Sequence, residues 1–192
     1  MSLENKKNKL FYKLFKYTAL APLLLLLPIA NNPNSLKASV EFQWDGNQNF
    51  KKLKWFQTEE KKNFRNKIYL FLRSSDRQTG LLKISLKVPD RFTPQIKKEK
   101  ISLCEVRVGG FSSKTKCLKS IPTEIEIDKD NNKVDIFPVS PIPSNKKNIA
   151  IRLKVSNPKR GGLYQFHGFG QSSGKVPVSY YLGSWTLITD SQ

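Results

Sequence analysis

Ile149-Ala150-Ile151-Arg152-Leu153-Lys154-Val155-Ser156-Asn157-Pro158 alternates apolar and polar side chains and then stops at an Asn-Pro step. A period of two puts Ile149, Ile151, Leu153 and Val155 on one face of an extended strand and Arg152 and Lys154 on the other. Proline has no N–H for a sheet ladder and restricts the residue before it, so the strand ends there. The same period recurs upstream. Leu82, Ile84, Leu86 and Val88 alternate with Lys83, Ser85 and Lys87 as far as Pro89. Ile125 and Ile127 alternate with Glu124, Glu126 and Asp128, and a turn at 130–132 leads into Val134-Asp135-Ile136-Phe137. The Asn131-Asn132 pair tolerates the positive φ of such a hairpin turn.

Two stretches break the alternation. Residues 68–72 are apolar throughout, which predicts a central strand covered on both faces. Around Leu103 and Cys104 the parity slips: Ile101 and Leu103 are odd, Cys104, Val106 and Val108 even, and a bulge is the expected cause. A helical spacing is present only in residues 47–66, where Phe50, Leu53 and Trp55 or Phe56 can share a face, with strand and loop as competitors. Pro138, Pro141 and Pro143 predict an extended connector without regular hydrogen bonds. Short strands punctuated by Gly, Pro and Asn predict an all-β fold, a mostly antiparallel β-sandwich.

The N-terminal residues read as an export address. Lys6, Lys7, Lys9, Lys13 and Lys16 precede a 14-residue apolar stretch, residues 17–30, and Ala38 suits the last position before cleavage. An uncleaved anchor is the rival reading, but a spanning helix needs about 20 apolar residues, and Pro22 and Pro28 interrupt this one. No cysteine follows the apolar run, which argues against a lipid-anchored form. The expected organisation is a signal peptide over 1–38 and a single exported β-domain over 39–192. Its destination is the periplasm or cell envelope, with the thylakoid lumen or the extracellular space as other end points.

Cys104 and Cys117 are the only two cysteines. An even pair in an exported chain predicts a disulfide. Between them a strand, the Gly109-Gly110 turn and a returning strand form a hairpin that the bridge would staple, contributing on the order of 3 kcal/mol in the chain-entropy model. A redox or metal role lacks the Cys-x-x-Cys spacing, and His167 is the only histidine. No cofactor is expected.

The formal net charge is +19, and 1–38 holds only six of the 34 basic residues, so the excess persists after cleavage. Such a field favours anionic envelope lipid or acidic polysaccharide, while export argues against nucleic acid. A bland source exists as well: 27 lysines against 7 arginines, with 14 asparagines, is what an adenine-rich coding sequence produces. Within Phe50-Lys51-Lys52-Leu53-Lys54-Trp55-Phe56, the residues Lys51, Lys52, Lys54 and Trp55 are the candidate contacts with an anionic surface. The plain alternative is a strand or helix with a solvated lysine face.

The C-terminal part carries the most distinctive wording. Asn157-Pro158 is followed by Gly162-Leu163-Tyr164-Gln165-Phe166 and later by Tyr181-Leu182-Gly183, after the proline-rich approach Phe137 to Pro143. With the signal segment, these elements resemble a cyanobacterial family of exported domains of unknown function. The resemblance implies an envelope-associated β-fold and supplies no catalytic residues. Asn157, Pro158, Gly162, Tyr164, Phe166, Tyr181 and Gly183 match its motif, and a structural role is the first reading of each.

Catalytic constellations are scarce. His167 with Ser172, Ser173 or Ser179 and Asp190 lacks a nucleophile elbow, and Asp128, Asp130 and Asp135 lack the order of a calcium loop. The expectation is a non-catalytic binding or structural module. The alternatives are a glycan-acting enzyme whose carboxylates meet only in the fold, and an assembly subunit pairing through a strand edge.

Overall fold

The structure is a computed structural model that describes residues 51–144, 147–173 and 176–190. The signal segment 1–38, its cleavage point and Phe50 lie outside the described residues. The strands are β1 (Trp55–Gln57), β2 (Arg65–Leu72), β3 (Leu81–Lys87), β4 (Ile101–Arg107), β5 (Lys116–Ile121), β6 (Thr123–Asp128), β7 (Lys133–Pro138), β8 (Ile149–Ser156), β9 (Gly162–Ser172) and β10 (Ser179–Thr189). One sheet has the order β1-β2-β8-β4-β5 and the other β10-β9-β3-β7-β6. The pairings within both sheets are antiparallel. The fold is therefore the antiparallel β-sandwich that the alternation predicts. Among the described residues, helix is confined to three-residue 3-10 turns, and 51–66 is strand and loop.

The core forms where the inward faces meet. Ile68, Leu70 and Leu72 on β2, Ile149, Ile151 and Leu153 on β8 and Ile101 and Leu103 on β4 face Ile84 and Leu86, Val134 and Ile136, Phe166, Trp185 and Leu187 across the sandwich. Phe92, from the β3–β4 connection, is fully buried and meets Tyr164 and Phe166 edge-on, each at 5.2 Å between ring centroids.

Three expectations change. Leu81, not Leu82, is the core residue at the start of β3, because the register against β9 shifts between Leu81 and Lys83. Leu103 and Cys104 are both buried without a bulge between them: the outer face of the β2-β8-β4 sheet carries its own cluster of Tyr69, Phe71, Val106 and Ala150, with Cys117 against it. The bulge falls two residues later, between Glu105 and Val106, where β5 loses register. The proline connector is also anchored, since Leu81 and Ile142 exchange two backbone hydrogen bonds, at 2.8 and 2.9 Å. The buried Arg77 guanidinium, which donates to the Pro143 carbonyl at 3.0 Å, holds the connector further along.

Cys104 and Cys117 are joined, their Cα atoms 5.6 Å apart across β4 and β5. Cross-linking a loop of 13 residues of separation removes denatured-state entropy, worth about 3 kcal/mol in that model.

Candidate functional site

Cross-strand register builds the site. Lys67 on β2 lies directly opposite Lys154 on β8, and Arg65 opposite Ser156. With Ile68 and Leu153 in the core, the alternation turns Lys67 and Lys154 to the outer face. The 3-10 turn Lys98–Lys100 runs straight into β4, the other neighbour of β8, and so brings Lys97 and Lys100 to the same end. The result is an open groove of about 480 Å³ lined by Arg65, Lys67, Lys97, Lys100 and Lys154, together with the hydroxyls of Thr58 and Ser156 and the amide of Gln95. Among the described residues, no carboxylate lines it. None of the five cations takes part in the ion pairs among the described residues. Like charges directly opposite one another destabilise a sheet, so this end of the fold works against itself.

A buried amide pair holds one wall. Asn66 Oδ1 accepts from the Thr58 and Glu59 backbone N–H groups at 3.1 and 3.2 Å, and its Nδ2 donates to Asn157 Oδ1 at 2.8 Å. Asn157 Nδ2 in turn donates to the Glu59 and Lys61 carbonyls at 3.0 and 2.8 Å. Thr58 and Asn66 both line the groove, so Asn157 shapes it from behind. Buried amides need this degree of pairing.

Lys51 and Trp55 are engaged by the fold, whereas Lys52 and Lys54 are exposed. Lys51 Nζ donates to the Asp76 carbonyl at 2.9 Å. Lys52 is exposed and bridges β10 at Ser184. Lys54 is exposed, and Trp55 packs on the core. An extended backbone sends successive side chains to opposite faces, which parts Lys51 from Lys52 and leaves Lys52 and Lys54 on one side. The five groove cations come from separate segments, which the β2–β8 register and the 3-10 turn before β4 bring together. Lys154, in the alternating strand, and Lys67, beside the apolar run, were the readable hints.

Tyr164 and Phe166 are buried, and Tyr164 Oη donates to the Arg160 carbonyl at 2.5 Å. Gly183 has φ +140°, and a Cβ there would lie 2.6 Å from the Lys51 carbonyl oxygen. Pro158 is buried and its carbonyl accepts from Asn63 N–H. Gly162, with φ +146°, opens β9.

His167 has its Nδ1 2.6 Å from Ser184 Oγ, which also lies 2.5 Å from Tyr181 Oη. Ser184 is fully buried, its Oγ already engaged twice. Ser179 on β10 and Asp190 just past its end stand five and six residues from Ser184, roughly 17 and 20 Å at strand rise, so they form no triad with His167. Burial, and then the nearby Lys87 charge, hold the His167 pKa below the ordinary histidine value. The fold thus prefers the neutral ring. Stability from it is complete above the ordinary value and falls as pH drops toward the lower folded one. His167→Gln is expected to flatten that loss, read as urea midpoints between pH 8 and 5; an unchanged slope assigns it to other groups.

Among the described residues no three metal-ligating side chains gather. A second groove, of about 520 Å³ at the β5–β6 corner, holds Glu99 and Glu124. Both are exposed.

A family model described as "Protein of unknown function (DUF2808)" matches residues 41–188. No curated protein matches the sequence. Among solved structures, the chain is similar to BslA, a bacterial hydrophobin, at 11% identity and a TM-score of 0.49 over 74% of this chain and 97% of that one. It is also similar to the collagen-binding domain of a Staphylococcus aureus adhesin, at 15% identity and a TM-score of 0.36 over 70% and 95% of the two chains. These likenesses concern the β-fold alone.

Proposed function

The chain belongs to the DUF2808 family of proteins of unknown function, and from that premise we propose that it is a non-catalytic module that binds an acidic polysaccharide in its basic groove. It works after export by segment 1–38, in the periplasm or envelope of a cyanobacterial cell, as a single domain from residue 39. The observation that carries this reading is the Lys67–Lys154 pair, two like charges directly opposite each other in a groove without a carboxylate. A repulsion of this kind is relieved when an anion lies between the cations. Thr58, Gln95 and Ser156 add hydroxyl and amide groups that suit sugar hydroxyls, which favours a glycan over a lipid headgroup. The disulfide agrees with an oxidising compartment.

The enzyme alternative needs two positioned carboxylates. Glu99 and Glu124 share a groove but are exposed and, among the described residues, enter no ion pair, which speaks against the positioning that acid–base work requires.

Retention on immobilised polygalacturonate, with neutral dextran as the control, tests the groove. Wild type is expected to bind the acidic matrix and to elute with salt. Lys67→Gln with Lys154→Gln should weaken binding at least tenfold, since a charge-assisted contact contributes about 1.5 kcal/mol or more. The same double change should raise the stability of the free protein by a few tenths of a kcal/mol, because the cross-strand repulsion is gone. Unchanged retention, or binding that depends on these lysines only with anionic vesicles, overturns the reading.

A further inference from the structure

The β4–β5 connection, residues 108–115, presents a side chain that packing does not explain. Phe111 has a relative exposure of 112%. Its setting is built rather than loose. Gly110 N–H donates to the Ser113 carbonyl at 2.9 Å and Ser113 N–H to the Gly110 carbonyl at 3.4 Å, which leaves Phe111 and Ser112 as the apex of a two-residue hairpin. Below it Gly109 N–H donates to Thr115 Oγ1 at 3.0 Å, and the Cys104–Cys117 bridge ties the base. The apex is thus shaped before any partner arrives, which lowers the ordering cost of binding.

Charge names the partner. Arg107, Lys114 and Lys116 flank the apex and are exposed. Glu105 is the one carboxylate in residues 101–121, and it is held by Lys147 at 2.8 Å. An aromatic ring standing clear of the fold among cations matches a bilayer interface, with the ring at the boundary between headgroups and acyl chains and the cations on phosphates. We propose that the Phe111 hairpin is an anchor that inserts into an anionic membrane surface, independently of the lysine groove.

Cosedimentation of the exported form with vesicles tests this. Wild type is expected to bind equal mixtures of phosphatidylglycerol and phosphatidylcholine in preference to phosphatidylcholine alone. Phe111→Ser should weaken that binding about tenfold, and Lys114→Gln roughly fivefold. Because the ring is exposed, Phe111→Ser should leave the thermal midpoint in place. In Phe111→Trp, the added indole emission should shift to the blue on binding and be quenched by brominated lipid. Equal binding by Phe111→Ser, or an unquenched indole in the vesicle-bound state, overturns the proposal. So does a Phe111-dependent complex with a soluble protein in the absence of vesicle binding. Vesicle binding lost only in the Lys67 and Lys154 variant counts against the anchor as well.

Discussion

Trp185→Ala is expected to lower the unfolding free energy by about 3–5 kcal/mol, the range for emptying a large aromatic site in a packed core. Trp185 is fully buried on β10 and its Nε1 donates to the Phe71 carbonyl on β2 at 3.0 Å, a bond from one sheet to the other. Gly168, on the neighbouring strand, makes room for the ring: a Cβ there would stand 2.7 Å from it. Trp185→Phe keeps much of the volume and loses the bond, so it should cost less, on the order of 1–3 kcal/mol. Urea unfolding of both variants separates packing from hydrogen bonding. A loss under about 1 kcal/mol for Trp185→Ala would mean that the two sheets collapse onto the gap, contrary to this account.

Asn157→Ala should cost about 2–4 kcal/mol, because one truncation leaves the Asn66 amide and the Glu59 and Lys61 carbonyls without their partner. The effect should be local in origin. Amide exchange at Thr58 and Glu59 should rise above that of the β8 core, since those N–H groups bond Asn66 Oδ1. Affinity for the acidic polysaccharide should fall with it, although Asn157 touches no ligand. Asn157→Asp keeps an acceptor for Asn66 but sets a buried carboxylate oxygen against the Glu59 and Lys61 carbonyls, so it should cost at least as much as Asn157→Ala. Equal protection of 58–59 in wild type and Asn157→Ala would remove the amide pair as the support of the groove.

The β-character was legible because period-two alternation has a direct geometric meaning. Ile149 to Val155 became β8, and the 130–132 turn joined β6 to β7 with Asn132 at φ 49°. The even pair of cysteines likewise became a bridge. Parity was less safe where both faces are covered: Val106 serves an outer cluster while Ile101 and Leu103 serve the core, and two sets of apolar residues on one strand read as a slip. Of the groove, only Lys154 in the alternating strand and Lys67 beside the apolar run were legible, and not their meeting. The groove depends on Lys67 meeting Lys154, residues far apart in sequence whose register is decided by which core residues interlock. Lys51, Lys52 and Lys54 stand close in sequence, but an extended chain turns Lys51 away from the other two.

The seam between the first and last described strands has a mechanical meaning. Residues 51–61 run parallel to 184–190, with bridges at Lys52–Ser184 and Lys61–Asp190. Leu53 N–H donates to the Ser184 carbonyl at 2.7 Å, Ser184 N–H to the Lys51 carbonyl at 2.8 Å and Asp190 N–H to the Glu60 carbonyl at 2.8 Å. The Gln57 amide adds a bond to the Ile188 carbonyl at 2.7 Å. A pull applied between residues 51 and 190 drags these two segments past each other in shear and loads the bonds together, whereas unzipping would load them one at a time. Rupture under tension is governed by the unfolding rate rather than by equilibrium stability. A domain tethered at one end and loaded at the other would meet that tension along its strongest axis.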